Sequence, residues 1–255
     1  MNYSTITPLS MAIVLCLSLN SDASDYEKEK RWADQIADAL LDGEPHYLTA
    51  DEHEFLAIHT EPASESSSGV VLLHGTGVHP DWQTVIHPLR VELAENGLHT
   101  LSIQMPVLAN DAKHEDYIAL FPEVSPRIEA ALKFFNNQDI SKVYLVGHSL
   151  GASMGVYYLA NSEKSISGFI AIGLSTGLKD TNMDNLAHLS VISVPVLDLY
   201  GTEDLENVVE FAPLRKDAVN PDIPYQQTVV DGADHFFDGE ETQLLDHVLD
   251  WIKNK

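Results

Sequence analysis

Short apolar segments separated by helical patterns recur along the chain, and this alternation constrains the fold strongly. The segments "VVLLHG", "KVYLVG", "GFIAIG" and "VPVLDLYG" are apolar almost throughout, which is typical of strands buried on both faces. Between them lie helical patterns, such as the one at 126–137, where Ile128, Ala131, Leu132 and Phe135 recur with the helical period. The pattern therefore predicts an α/β domain with a mostly parallel sheet and helices on both faces.

The remaining elements fit the same single domain. The polar stretch "ASESSSG" at 63–69 is too short for a linker between domains and predicts a turn. Trp32, Ile36 and Leu40 form one apolar stripe of an N-terminal helix. Further predicted elements are helices over 25–41, 83–96, 149–161, 206–218 and 239–253, and extended segments over 46–50, 54–60, "LHTLSIQ" and "YQQTVV".

The pentapeptide "GHSLG" at 147–151 lies between a predicted strand and a predicted helix. This is the context in which G-x-S-x-G forms a sharp turn that exposes a nucleophilic serine, here Ser149. Gly147 and Gly151 avoid clashes in such a turn, and the helix N-terminus favours negative charge that develops nearby. The alternative is an ordinary turn with Ser149 as the helix N-cap.

A serine hydroxyl needs a base to accept its proton. The chain has 12 histidines, so position must select among them. His235 follows the last predicted strand in a glycine-containing loop before the terminal helix, and we predict that it is the base. We expect the side chain of His148 to project away from the serine in a structural role, and His74, His79 and His87 to support the loop after the first parallel strand.

The base in turn needs a carboxylate that fixes its tautomer. Asp204 follows the penultimate strand, and the chain order Ser149, Asp204, His235 is the order that this architecture uses. We predict Asp204 as the acid. The other candidates are Glu203, Asp180, Asp198, which lies within a strand, and Asp231 and Asp234, which flank the histidine.

The segment "HGTG" at 74–77 follows a strand and could supply a backbone N–H to an oxyanion. We predict the oxyanion hole from the N–H of Leu150, which follows the nucleophile, and that of Thr76, favoured over Gly75.

With "HGTG", "GHSLG", "GTED" and "GADHFF" in this order over residues 54 to 253, the chain resembles the α/β-hydrolase superfamily. More narrowly, "LLHGTGVHPDW", "PLR" and "TLSIQMP" resemble exported bacterial members without assigned function. The resemblance implies an eight-stranded, mostly parallel sheet and acyl transfer at an ester-like bond, but no particular substrate. The connection from "GFIAIG" to "VPVLDLYG" spans about twenty residues, where many lipases of this fold class carry a large lid. This argues against long-chain lipid, although residues 107–124 could form a small cover.

Composition and spacing exclude several other functions. The formal net charge of −25 repels nucleic acid and anionic lipid headgroups. The clusters at 114–116 (His114, Glu115, Asp116) and 53–54 (His53, Glu54) lack the spacing of a metal site. Neither a phosphate-binding loop nor a dinucleotide fingerprint follows the first parallel strand. We expect no metal, no cofactor, no nucleic-acid partner and no stable membrane insertion of the mature chain.

The first residues predict a cleaved leader. An apolar run at 9–20 precedes the small-residue site "SDAS" and a charged segment, which favours cleavage after Ala23. Residues 1–10 contain no Lys or Arg, and the alternative is a tethering or disordered leader. The only cysteine, Cys16, lies in this run, so the mature chain would have no thiol. We expect a signal peptide at 1–23, one domain at 24–255, and a periplasmic or secreted protein.

Two functions remain. The first is a carboxylesterase-like serine hydrolase that cleaves a small or medium ester, thioester or amide substrate through a Ser-His-Asp acyl-enzyme mechanism. The second is a non-catalytic binding or scaffold protein of the cell envelope, which would keep the same fold without turnover.

Overall fold

A mostly parallel sheet of eight strands forms the centre of the protein, as predicted; the computed structural model describes residues 24–255. The strands are β1 (Glu44–Ala50), β2 (His53–Thr60), β3 (Ser68–Leu73), β4 (His99–Ile103), β5 (Lys142–His148), β6 (Gly168–Ile172), β7 (Val196–Glu203) and β8 (Tyr225–Asp234). Their order across the sheet is β1-β2-β4-β3-β5-β6-β7-β8. The hairpin β1–β2 is antiparallel and β2 pairs antiparallel with β4, while all pairs from β4 to β8 are parallel.

The helices are α1 (Tyr26–Ala39), α2 (Ile86–Glu95), α3 (Val124–Asn136), α4 (Leu150–Asn161), α5 (Asn185–Leu189), α6 (Glu206–Val209), α7 (Ala212–Ala218) and α8 (Glu241–Lys253), with a 3₁₀ helix at His114–Glu123. The sequence predicts one helix over 206–218, but the structure has two. Pro213 lies in the first turn of α7, where its missing N–H is tolerated, whereas in the interior of a longer helix it would remove a hydrogen bond. The short helix α5 was not predicted.

Successive residues of each central strand pack into two different cores. Val71 and Leu73 of β3 belong to the core beneath α3 and α4. Val70 and Leu72 of the same strand belong to the core beneath α2 and α8. Both faces of the sheet are therefore covered, which explains why the central strands are apolar at every position. The parallel strands end at a common edge, where the site described below is formed.

The N-terminal helix α1 covers the outer strands. Ala33 and Ile36 pack against Leu56 and Ile58 of β2, with Trp32 beside them. The apolar stripe predicted for this helix thus faces the sheet. No helix within residues 24–255 is both long and apolar enough to cross a membrane.

A buried histidine on β2 makes the stability depend on pH. His59 is 4% exposed, and its ring centroid lies 5.2 Å from that of Phe134. Burial, followed by the neighbouring His99 and His46, lowers the pKa of His59 from 6.5 to about 4. The folded state therefore binds fewer protons than the unfolded state between these two values. The stability that this difference provides is complete above the unfolded-state pKa and is lost as the pH falls towards 4.

We expect the free energy of unfolding to fall on acidification from pH 7 to pH 4.5, with His59 accounting for up to about 3 kcal/mol. Urea unfolding at several pH values would measure this decrease. His59→Gln should make the decrease shallower. A variant with the same pH slope as wild type would show that His59 is not responsible.

Candidate active site

Ser149 occupies a strained turn between β5 and α4. Its backbone has φ 56° and ψ −118°, a conformation that is costly for a residue with a side chain. The turn is held by the hydrogen bond that the N–H of Ser149 donates to the carbonyl of Ile172, at 2.8 Å. Strain of this kind is a feature of nucleophile turns, and the side chain is presented at the edge where the parallel strands end.

The two glycines of the pentapeptide are required by close backbone contacts. A Cβ at Gly147 would lie 2.5 Å from the carbonyl oxygen of Gly151. A Cβ at Gly151 would lie 2.3 Å from the carbonyl oxygen of Leu73. Side chains at either position would therefore push α4 away from the strands, as the sequence argument anticipates for a sharp turn.

Ser149, His235 and Asp204 form a continuous hydrogen-bonded chain. The Nε2 of His235 lies 2.9 Å from the Oγ of Ser149, and its Nδ1 lies 2.6 Å from the Oδ1 of Asp204. The carboxylate can only accept a hydrogen bond, so it selects the tautomer with the proton on Nδ1. Nε2 is then free to accept the hydroxyl proton of Ser149. This is the arrangement in which an imidazole activates a serine.

The end of the sheet positions Asp204 and His235 side by side. The strands β7 and β8 pair until Glu203 and Asp234, with an irregularity after Gly201, so Asp204 and His235 leave neighbouring strands together. The last strand extends beyond the predicted "YQQTVV" to Asp234. His235 is the first residue of the glycine-containing turn between this strand and α8, as predicted. The carboxylate of Asp204 also accepts the N–H of Leu205, at 2.7 Å, which fixes its orientation.

The competing carboxylates lie elsewhere. Asp198 is buried within β7, where it accepts hydrogen bonds from Arg215 and Tyr225. Glu203, Asp180 and Asp231 are exposed. The Oδ1 of Asp234 accepts the backbone N–H of Phe236. Of the candidates weighed from the sequence, only Asp204 is hydrogen-bonded to His235 within the described chain.

The position of His148 differs from the prediction. Its side chain does not project away but packs against His235, with ring centroids 4.9 Å apart. The positive φ of Ser149 breaks the strand geometry that would place adjacent side chains on opposite faces. The Nε2–H of His148 donates to the carbonyl of His235, at 2.9 Å. Burial, followed by His235, lowers the pKa of His148 to about 4, so at neutral pH His148 is uncharged and supports His235 through this hydrogen bond.

The loop after β3 is fixed by His74, as the prediction of a supporting role requires. The Nδ1–H of His74 donates to the carbonyl of Gly75, at 2.9 Å, while its Nε2 accepts the N–H of Met105, also at 2.9 Å. Burial lowers the pKa of His74 to about 3, which keeps both roles unchanged at neutral pH. Thr76 and Leu150 flank Ser149 in the wall of one cavity. Within residues 24–255, the backbone N–H of neither donates a hydrogen bond, so both remain available to a ligand.

The cavity in front of Ser149 has a volume of 380 Å³. Its apolar lining comes from Val78, Trp82, Leu205, Val208 and Phe236. Besides Ser149 and His235, its polar lining includes Ser153, Ser175, Asn207 and His114. His114 belongs to the 3₁₀ helix, so part of the segment 107–124 does border the site. The connection from β6 to β7 carries only the short helix α5, so this connection holds no large lid.

Sequence reasoning missed several residues of this site. Ser153 lies one turn after Ser149 on α4 and accepts a hydrogen bond from Asn185, at 2.8 Å. Because residues four apart lie on the same face of a helix, the spacing from Ser149 could have indicated that Ser153 lies in the site. Trp82 comes from an irregular segment and His114 from the start of the 3₁₀ helix. In neither segment does a periodic sequence pattern indicate which way the side chain points. No group of three or more His, Cys, Asp or Glu residues in the described chain could hold a metal ion.

Gly173, at the end of β6, is a further residue that the sequence argument did not single out. Its φ is +61°, and a Cβ here would lie 2.9 Å from the Cε1 of His235 and 3.3 Å from the Oδ2 of Asp204. We expect Gly173→Ala to displace the imidazole and to lower kcat/KM about 10²-fold, a typical cost of misplacing a catalytic group by about 1 Å.

The matched control for Gly173→Ala is Gly97→Ala. Gly97 also has a positive φ, +89°, but a Cβ there would meet no atom within 4 Å. Both variants should lose about 1–2 kcal/mol of stability from backbone strain, whereas only Gly173→Ala should lose activity. Steady-state kinetics and thermal unfolding separate the two effects. Equal activity in both variants would contradict this account of Gly173.

Solved structures place this architecture in a known class. The chain is similar to dienelactone hydrolase from Anabaena variabilis, with a TM-score of 0.66 and 18% identity, covering 84% of this chain and 99% of that one. It is similar to Est1E from Butyrivibrio proteoclasticus, with a TM-score of 0.64 and 15% identity, covering 83% and 98%. It is also similar to an alpha-beta serine hydrolase homologue from Coxiella burnetii, with a TM-score of 0.64 and 19% identity, covering 84% and 98%. The fold is that of the α/β-hydrolase superfamily.

The narrower family follows from the sequence. A family model described as "Protein of unknown function (DUF3530)" matches residues 21–126 and 115–254. The chain belongs to this family. A search of curated proteins finds no match, so the reaction has to be argued from the site.

Proposed function

We propose that the protein is a serine hydrolase that cleaves small or medium carboxylic esters or related acyl compounds. The observation that carries the proposal is the unbroken chain from the Oγ of Ser149 through His235 to Asp204, with distances of 2.9 and 2.6 Å. A serine that only capped a helix would not need a base on its hydroxyl. In fact the side chain of Ser149 makes no capping hydrogen bond to α4.

The reaction divides into two acyl transfers. In the first, Ser149 Oγ attacks the substrate carbonyl while its proton passes to Nε2 of His235. The tetrahedral intermediate then collapses, the bond to the leaving group breaks, and His235 returns the proton to that group. In the second, a water molecule gives its proton to His235 and attacks the acyl-enzyme. Collapse then releases the carboxylic acid and restores the hydroxyl of Ser149. The carboxylate of Asp204 stabilises the imidazolium that forms in each half.

The oxyanion of each intermediate would be bound by backbone N–H groups. Leu150 is the first residue of α4, so its N–H has no acceptor within the helix, and the helix dipole adds to its effect. Thr76 would supply the second donor from the loop held by His74. One such donor contributes about 10²–10³ in rate.

The cavity favours an uncharged acyl group. Neither Lys nor Arg is among the described residues that line it, so a substrate carboxylate would lose its hydration without gaining a cationic partner. Trp82 and Phe236 offer aromatic surfaces, and Ser153 and Ser175 offer hydroxyls. A volume of 380 Å³ suits a small or medium substrate better than a long acyl chain.

We expect p-nitrophenyl butyrate to be hydrolysed with a kcat/KM at least about tenfold higher than the p-nitrophenyl half-ester of succinate, because only the latter places a carboxylate in the cavity. Trp82→Lys should reduce this ratio by supplying a cation, whereas the neutral control Trp82→Gln should not. Preference for the succinate half-ester would refute the proposed specificity. The absence of turnover with any ester would favour the non-catalytic binding protein.

A further inference from the structure

Ser24 makes two contacts with the side chain of Glu123. Its backbone N donates to Oε1 at 3.1 Å, and its hydroxyl donates to Oε2 at 2.7 Å. The next residue, Asp25, donates its N–H to the carbonyl of Val107 at 2.8 Å, and its side chain caps α1. Ser24 and Asp25, the two residues that follow the predicted cleavage position, are therefore both hydrogen-bonded to distant parts of the fold.

Glu123 belongs to a largely buried cluster of charges. Arg127 donates to both carboxylate oxygens of Glu29, at 2.8 and 3.0 Å, and also to Oε2 of Glu123, at 3.3 Å. The side chains of Arg127 and Glu29 are 2% and 3% exposed, and that of Glu123 is 20% exposed. One guanidinium is thus shared by two carboxylates. Ser24 contacts Oε1 of Glu123, the oxygen that Arg127 does not contact.

We propose that Ser24 is the N-terminal residue of the mature protein and that its α-ammonium group forms an ion pair with Glu123. Hydrolysis of the peptide bond between Ala23 and Ser24 by an export-associated endopeptidase consumes one water, leaves a carboxylate on Ala23 and creates an amino group on Ser24. The backbone nitrogen of Ser24 already lies at hydrogen-bond distance from the carboxylate. After cleavage it would carry a positive charge and three donors in place of one neutral donor.

Other nearby charges act in both directions. The positive end of the α1 dipole and the guanidinium of Arg127 oppose a cation at Ser24, while Asp25 and Glu29 favour one. Direct contact with a partly buried carboxylate is the strongest of these interactions, because the attraction rises as the separation and the local dielectric fall.

The ion pair would stabilise one side of the cavity. Glu123 ends the 3₁₀ helix that carries His114, and Lys28 of α1 donates to the carbonyl of Leu108 at 2.8 Å. Arg127 also donates to the carbonyl of Gln104, at 3.0 Å, and the side chain of Gln104 contacts Nε2 of His74. Hydrogen bonds therefore connect Ser24 to the loop that contains Thr76.

The proposal is tested first by the N-terminus of the protein recovered from its native cells. Mass spectrometry should find Ser24 as the first residue.

The second test uses the chain 24–255 with a free α-amino group, and compares its rate of acylation by acetic anhydride with that of Glu123→Gln. The carboxylate should raise the pKa of the α-amino group, because an opposite charge in contact favours the charged form, so acylation near pH 8 should be several-fold slower in wild type. The control Glu27→Gln changes an exposed carboxylate of α1 and should behave like wild type.

A third form, the same chain with an acetylated α-amino group, keeps every side chain and removes only the charge. Its Tm should be lower by about 2–4 °C, and amide exchange should be faster over residues 107–123. When both forms carry Glu123→Gln, the free and acetylated proteins should have the same Tm. A native N-terminus other than Ser24, or equal α-amino reactivity in wild type and Glu123→Gln, would overturn the proposal. None of these measurements depends on catalysis, so they stand apart from the proposed reaction.

Discussion

Ser149→Ala is expected to lower kcat by about 10⁶-fold while the protein remains folded, as removal of the nucleophile does in enzymes of this chemistry. The loss is large because the variant has no atom that can form the acyl-enzyme. The cavity and the donors at Leu150 and Thr76 remain, so a small residual rate above the uncatalysed reaction should persist. Hydrolysis of an uncharged p-nitrophenyl ester, with circular dichroism to check the fold, measures the effect.

A matched control lies on the same helix. Ser153 also lines the cavity, and its hydroxyl accepts a hydrogen bond from Asn185 rather than from a base. Ser153→Ala should keep kcat within about tenfold of wild type, since one neutral hydrogen bond contributes about 1 kcal/mol. The double variant Ser149→Ala/His235→Ala should be hardly slower than Ser149→Ala, because the triad acts as a unit. Additive losses would indicate that His235 acts independently of Ser149.

Asp204→Asn is expected to lower kcat by about 10⁴-fold with little change in the fold. The amide that replaces the carboxylate can donate to Nδ1 of His235 and thereby stabilise the tautomer whose proton lies on Nε2. That nitrogen would then face the hydroxyl of Ser149 as a donor and could not accept its proton. The imidazolium formed during the reaction would also lose its counter-charge.

Asp180→Asn provides the contrast for this experiment. Asp180 follows the preceding strand and is exposed, and its backbone N–H donates to the side chain of Asp184. Its replacement should leave kcat within about twofold, the range typical of surface substitutions. If Asp180→Asn abolished turnover and Asp204→Asn did not, the acid would have been assigned to the wrong strand end.

The sheet could be predicted from the sequence because it depends on a local pattern, and so could the positions of Ser149, Asp204 and His235 at its edge. The catalytic roles of these three residues stay predictions. Strands buried on both faces are apolar at every position, and β3, β5 and β6 show this directly. Ser149 lies between Gly147 and Gly151. A Cβ at either position would come within 3 Å of backbone atoms, so both positions require glycine. Asp204 and His235 follow the last two strands, so the order of the strands alone brings them to one edge of the sheet.

Contacts between distant irregular segments could not be predicted in this way. The direction of His148 depends on the unusual backbone of Ser149, which no periodicity encodes. The need for glycine at position 173 arises from the ring of His235, 62 positions later in the numbering of the chain. The contact of Ser24 with Glu123 joins residues 99 positions apart. Such contacts depend on how the elements pack, and a pattern within one element carries no information about them.

Labelling with a fluorophosphonate tests the central claim most directly, because this probe requires an activated serine but no knowledge of the substrate. After treatment of the folded protein, peptide mass spectrometry should locate one adduct, on Ser149. Labelling should disappear in Ser149→Ala and be greatly slowed in His235→Ala. A folded wild-type protein that remains unlabelled, or an adduct on another serine, would contradict the proposal that Ser149 is a catalytic nucleophile.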